Sequence, residues 1–269
     1  MTNGVVRIAQ LYTGTYQKSD YGFNNEQDKV GSGCRFTFHN SDETFGFKAG
    51  TSGGDWGAGF AFSPATSRSS LRLSGDNNAW RSHCLMLNGK TNAVDVAGGT
   101  FAVTNILRVA DGDGCSLAFS GGVSQIANLT VTDTATNFTI RVSDDASVDV
   151  ASLALNRETK FKFVIPNGGF ATAPVKCGAT AANGNFRFEF DASGFTWPES
   201  LAKIPLISDE GGFAGWGEGG TALDINALNA EYADALPVGV RGVKSRFKLD
   251  DGGKTLSLVM PKGIIIAIF

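Results

Sequence analysis

Asp111-Gly112-Asp113-Gly114 places two carboxylates one residue apart between glycines. That composition suits a tight corner, and it also suits calcium, which takes oxygen ligands. Asp144-Asp145 and Asp250-Asp251 are further acid pairs, each beside turn residues. Cys34 stands near His39, and His83 directly precedes Cys84, so a thiolate–imidazole zinc or nucleophile site is conceivable. Cys115 and Cys177 complete four cysteines without a C-x-x-C, which excludes a zinc ribbon and a thioredoxin-like motif. Trp56 and Trp216 each sit among glycines, Trp56 in Gly53-Gly54-Asp55-Trp56-Gly57 and Trp216 within residues 211–220. An exposed tryptophan of this kind is a surface for sugar or protein binding, whereas a buried one packs a cap. The stretch around Trp216 lacks the Gly-Lys-Ser/Thr ending of a phosphate loop.

Chemistry at any of these places depends on what brings them together, and that is set by a repeat. Apolar-x-apolar triplets recur in two phases. One runs Phe45 to Phe47, Leu71 to Leu73, Val94 to Val96, Leu117 to Phe119, Ile140 to Val142, Phe161 to Phe163 and Phe186 to Phe188. The other runs Phe36 to Phe38, Phe60 to Phe62, Leu85 to Leu87, Leu107 to Val109, Leu129 to Val131 and Leu153 to Leu155. A weaker third phase runs Phe101 to Val103, Val123 to Ile126 and Val148 to Val150. Alternation puts the apolar members on one face of a strand and the middle residues, such as Arg72 and Arg141, on the other. Corners keep the same beat at Ala97-Gly98-Gly99 and Ser120-Gly121-Gly122.

Short strands and corners on a beat of about 23 residues predict a parallel β-solenoid, an all-β, single-stranded β-helix. It is expected to be right-handed, with seven or so coils stacked about 4.8 Å apart into a rod roughly 35 Å long. An antiparallel sandwich or jelly roll is the competing fold, but its strands have no reason to hold two phases of one period. The solenoid is expected over residues 1–205, including an N-terminal cap, and a C-terminal cap over 206–269. In that cap Asp224 reads as the N-cap of a helix stopped by Pro237. Val243 to Leu249 and Thr255 to Met260 read as a hairpin around Asp250 to Gly253.

The stacked triplets and Gly-Gly corners of about 60–195, together with the hairpin at 247–258, resemble bacterial cell-surface parallel β-helix repeat proteins of the autotransporter-passenger type. The chain departs from a whole autotransporter in having no C-terminal translocator barrel. The resemblance implies an extracellular or cell-surface location and a scaffold or adhesive role, with self-assembly or a surface glycan as partner. Met1-Thr2-Asn3-Gly4 does not open a secretory signal, so any such signal has been cut away or lies outside this chain.

Composition narrows the function further. A hydrophobic fraction of 42% excludes a disordered chain, and a net charge of −3 gives no electrostatic case for nucleic acid. No apolar run reaches the ~18–20 residues of a membrane span. Hydrolysis of a polysaccharide on a β-helix needs two carboxylates about 5–10 Å apart, hence acids in one column of neighbouring coils. Asp95 is followed in its column by Ala118 and Arg141, so no acid stack forms there. The expectation is a non-enzymatic stalk, adhesin or assembly module without cofactor or metal; a β-helix lyase or hydrolase, or a sugar-binding sandwich, are the alternatives. The ending Ile264-Ile265-Ile266-Ala267-Ile268-Phe269 is a strong strand former and the candidate assembly segment. It is expected to pair within the chain or to add to a neighbouring molecule.

Overall fold

The computed structural model describes residues 70–76, 78–198, 201–239 and 242–261, and the backbone of five strands before them. Those five are β1 (Val5–Ile8), β2 (Leu11–Thr13), β3 (Arg35–His39), β4 (Phe45–Ala49) and β5 (Gly59–Phe62). The rod continues through β6 (Ser70–Ser74), β7 (Asn78–Lys90), β8 (Ala93–Asp113) and β9 (Ser116–Val131). It ends with β10 (Phe138–Ser143), β11 (Ser147–Leu155), β12 (Thr159–Val164), β13 (Val175–Ala181) and β14 (Phe186–Asp191). The chain folds as a parallel β-solenoid of about five turns, each of about 23 residues.

Three inward rows build the core. Leu71, Val94, Leu117, Ile140, Phe161 and Phe188 are successive partners in the first row. Trp80, Phe101, Ser124, Val148, Val175 and Ile207 form the second. Leu85, Leu107, Leu129 and Leu153 stack in the third, each pairing in parallel with the next. All four leucines are buried. This is what the 23-residue beat demands: each coil sets the same apolar position over the last, and pleating sends the residue between them outward.

Two triplets stand in other rows than their pattern suggests. Phe36 to Phe38 pairs with Leu71 to Leu73, so it belongs to the first row. Phe45 to Phe47 runs beside Asn78 to Trp80 in the second. At the far end Phe186 partners Thr159, and Phe188 partners Phe161, a shift of two residues. The first row therefore neither starts at Phe45 nor ends in the register assumed, and the rod has about five turns instead of seven.

Glycine is required where two corners stack. Gly99 and Gly122 hold φ of +74° and +72°, and a Cβ on Gly122 would collide with the Gly99 carbonyl oxygen. A strain-free glycine-to-alanine replacement stabilises by about 0.4–1 kcal/mol, whereas Gly122→Ala is expected to destabilise by more than that, read as a lowered urea midpoint. An unchanged midpoint would mean the corners repack freely.

Outward positions tie coil to coil. Arg72 Nε lies 3.5 Å from Asp95, Lys160 and Lys162 Nζ lie 3.1 and 2.5 Å from Glu189, and Arg187 Nε lies 2.6 Å from Glu158. Hydrogen bonds from Lys162 and Lys160 hold the Glu189 carboxyl below the ordinary glutamate range. A depressed carboxyl stabilises the fold above its unfolded pKa, and that contribution is lost as pH falls through the folded value. Glu189→Gln should therefore flatten the acid limb of melting temperature against pH, below about pH 4.3. Identical acid limbs in the two proteins would show that the pairs add nothing.

The cap consists of β15 (Lys203–Asp209), α1 (Ile225–Glu231), β16 (Arg246–Asp250) and β17 (Thr255–Val259). β15 serves both parts of the molecule. It pairs in parallel with β13 and antiparallel with β17, which in turn forms the hairpin with β16. Asp224 caps α1 by accepting from the Asn226 and Ala227 amides, as the N-cap position requires. An aromatic cluster of Phe161, Phe163, Phe188, Phe247, Trp216 and Tyr232 joins rod to cap.

Candidate functional site

Where rod meets cap, the outer face carries a polar hollow of about 470 Å³. The pairings place it. Asp149, Lys176 and Ser208 follow one another in an outward column of β11, β13 and β15. Beside them Ala151 and Gly178 present almost no side chain, so the surface sinks there. A Cβ on Gly178 would meet the Ala151 carbonyl oxygen, which keeps this wall thin. Glu210 enters as the chain leaves β15, its amide donating to the Cys177 carbonyl at 3.0 Å. Lys254 comes from the hairpin turn, and its carbonyl accepts from the Asp209 amide at 2.8 Å.

Cys177 and Asp209 line the hollow from the inward column. Burial, and next the charge of Asp209, push the Cys177 thiol far up, so it stays protonated and is a poor nucleophile. Asp209 is only 2% exposed, and both of its oxygens are engaged. Oδ2 accepts the Trp216 indole N–H at 2.7 Å and Oδ1 accepts the Gly211 amide at 2.7 Å. The groups left at the rim are Asp149, Glu210, Lys176 and Lys254, two of each sign. Such a rim can exchange hydrogen bonds with a small polar group. It has no aromatic platform among its lining residues on which a sugar could stack.

The residues singled out from sequence lie elsewhere. Trp216 is 0% exposed and packs against Phe213 and Phe186 with ring centroids 5.2 Å away. It is a cap residue with no face for a ligand, because the glycines around it let the loop fold inward. Trp56 and the segment Ile264, Ile265, Ile266, Ile268 and Phe269 lie outside the described residues, as does Cys34. Asp113 is a corner: its Oδ1 accepts from Thr136 Oγ1 at 3.0 Å and Asn137 Nδ2 at 2.9 Å. The Asn137 bond, followed by that from Thr136, holds its carboxyl below the usual aspartate range. Asp111 is another corner residue, with φ of 51° and its amide donating to Thr134 Oγ1. Cys84 is buried, while His83 lies near Thr104 Oγ1 at 3.4 Å. Cys84, Cys115 and Cys177 are thiols and not disulfides. Among the described residues no three His, Cys, Asp or Glu side chains are grouped to hold a metal ion.

Sequence reasoning missed the hollow. Its one legible part was Asp149, which follows Val148 of the third phase; the step from Asp149 to Lys176 departs from the 23-residue beat, and Glu210 and Lys254 arrive through the cap.

The fold defines a β-solenoid repeat protein. Neither models of known protein families, nor curated proteins, nor solved structures match the chain. Among the described residues no helix is long and apolar enough to cross a membrane.

Proposed function

We propose that this solenoid is a non-enzymatic structural module, a stalk, adhesin or assembly unit working at a bacterial cell surface. The observation that supports it is where the reactive groups are spent. Glu158 and Glu189 bind the cations of neighbouring coils, Asp113 binds the next corner, and Asp209 binds Trp216. Each of these carboxylates ties one segment of the fold to another, which is the work of a scaffold. The surface location and the resemblance to autotransporter-passenger repeats rest on composition and periodicity.

The test is a polysaccharide turnover screen and a glycan array on the purified chain. The expected outcome is no turnover, with any binding reversible and independent of metal. Turnover abolished by Asp149→Asn, Glu210→Gln, Asp111→Asn or Asp113→Asn would overturn the reading and restore the lyase or hydrolase alternative.

A further inference from the structure

Two strands at the capped end have one strand partner each among the described residues. β14 pairs only with β12, and β16 pairs only with β17. Each therefore turns a row of backbone N–H and C=O groups away from its partner, and such a row is a template for another strand. One short helix meets both rows. Asn229 of α1 treats Phe247 of β16 as a neighbouring strand would: its Oδ1 accepts the Phe247 amide at 2.7 Å, and its Nδ2 donates to the Phe247 carbonyl at 3.1 Å. Three residues along the chain, the Tyr232 hydroxyl accepts the Phe188 amide of β14 at 2.9 Å. A separation of three residues places both side chains on one side of the helix. The helix is held there by the Asp224 cap and by Leu228, which is buried.

We propose that α1 is an edge guard, and that Asn229 and Tyr232 block pairing of this end with a second copy of the chain. The sequences of the two edges fit a second copy in particular. Two copies of β14 paired antiparallel about Glu189 would set Arg187 of one opposite Asp191 of the other, with Phe188 opposite Phe190. Two copies of β16 paired about Lys248 would set Arg246 opposite Asp250 and Phe247 opposite Leu249. On each edge the flanking pairs are therefore complementary in charge and in apolar pattern, and the central Glu189 and Lys248, which would meet their own copies, already carry counter-charges from Lys160 and Lys162 and from Asp250. The polar side chains of α1 occupy the backbone groups this pairing would use. The inference stands whether the whole chain serves as stalk, adhesin or assembly unit.

The experiment compares the full chain with Tyr232→Phe, Asn229→Leu and the double variant, by sedimentation over a concentration series and by amide hydrogen exchange. Tyr232→Phe removes one oxygen and keeps the ring among Phe188 and Phe247, so it tests the guard with the packing intact. The double variant loses three guard hydrogen bonds and should self-associate at least about tenfold more tightly than the parent. The Phe188 and Phe247 amides should exchange faster in the dilute variant and regain protection as it associates. Faster exchange with a sedimentation coefficient equal to the parent's at every concentration would overturn the proposal, leaving Asn229 and Tyr232 as packing residues. Association without renewed protection of those two amides would overturn it equally, because the new contact would lie elsewhere. If the double variant does not fold, Tyr232→Phe alone decides by the same two readings. A glycan-binding or turnover result leaves these readings untouched.

Discussion

Leu129→Asp is expected to melt the middle of the rod. Leu129 is 2% exposed and sits between Leu107 and Leu153 in the inward row of the third face. Truncating a leucine there to alanine would by itself cost about 2–5 kcal/mol, from lost transfer energy and the cavity left behind. An aspartate adds a carboxylate with no partner in an apolar stack, a further cost of several kcal/mol. Domains hold only about 5–15 kcal/mol in all, so the change consumes most or all of the stability available. Because each coil of a solenoid rests on its neighbours alone, the damage should centre on β8, β9 and β11 and spread from there. Amide exchange and circular dichroism should show lost protection and a broadened, lowered melt. Thr130→Asp is the control. Thr130 follows in the same strand, points the other way and is half-buried, so its replacement should cost a small fraction of the Leu129 effect. Equal effects at the two positions would mean that the inward row does not carry the fold.

The rows holding Leu129 were legible because alternation and period reinforce each other over coils of nearly constant length. From Leu71 to Ile140 the partners recur every 23 residues, and the Gly-Gly corners at 98–99 and 121–122 recur with them. The start of the cap helix was legible too, since Asp224 before an apolar-periodic stretch is a local signal that needs no tertiary context, but α1 ends at Glu231 and does not run on to Pro237. Register at the two ends was not. Phe36 to Phe38 and Phe45 to Phe47 carry the same pattern, so only the lengths between coils assign them, and those lengths are irregular there. Phe186 to Phe190 alternates over five residues and fits its neighbour equally well when slid by two; the longer link after β12 selects Phe188 over Phe186 as the partner of Phe161. The hollow at the junction was hidden for another reason. It depends on small residues at Ala151 and Gly178 that leave space, and on Lys254 arriving from a hairpin whose docking no period encodes.

Trp216 shows how much a glycine-rich loop can contribute once it folds inward, and its removal is expected to detach the cap. The indole is wholly buried, with Phe161 at 6.0 Å between ring centroids and Phe186 and Phe213 at 5.2 Å. Its backbone carbonyl also accepts the Gly184 amide at 2.9 Å, which ties the loop to the end of β13. Trp216→Ala should cost about 3–5 kcal/mol, read as a fall in the urea midpoint. Trp216→Phe separates packing from hydrogen bonding. It keeps most of the aromatic contact but leaves Asp209 Oδ2 buried without the N–H it accepts, which costs about 1–3 kcal/mol and more for a charged group. Asp209→Asn approaches the same bond from the other side. An amide has one acceptor oxygen, so either the Trp216 indole or the Gly211 amide must face an NH₂ group. The three variants form a cycle: if the bond is what joins loop to rod, Trp216→Phe and Asp209→Asn together should cost clearly less than the sum of their separate effects. Strict additivity would mean that the ring holds the cap by packing alone, and that Asp209 owes its place in the core to the Gly211 amide.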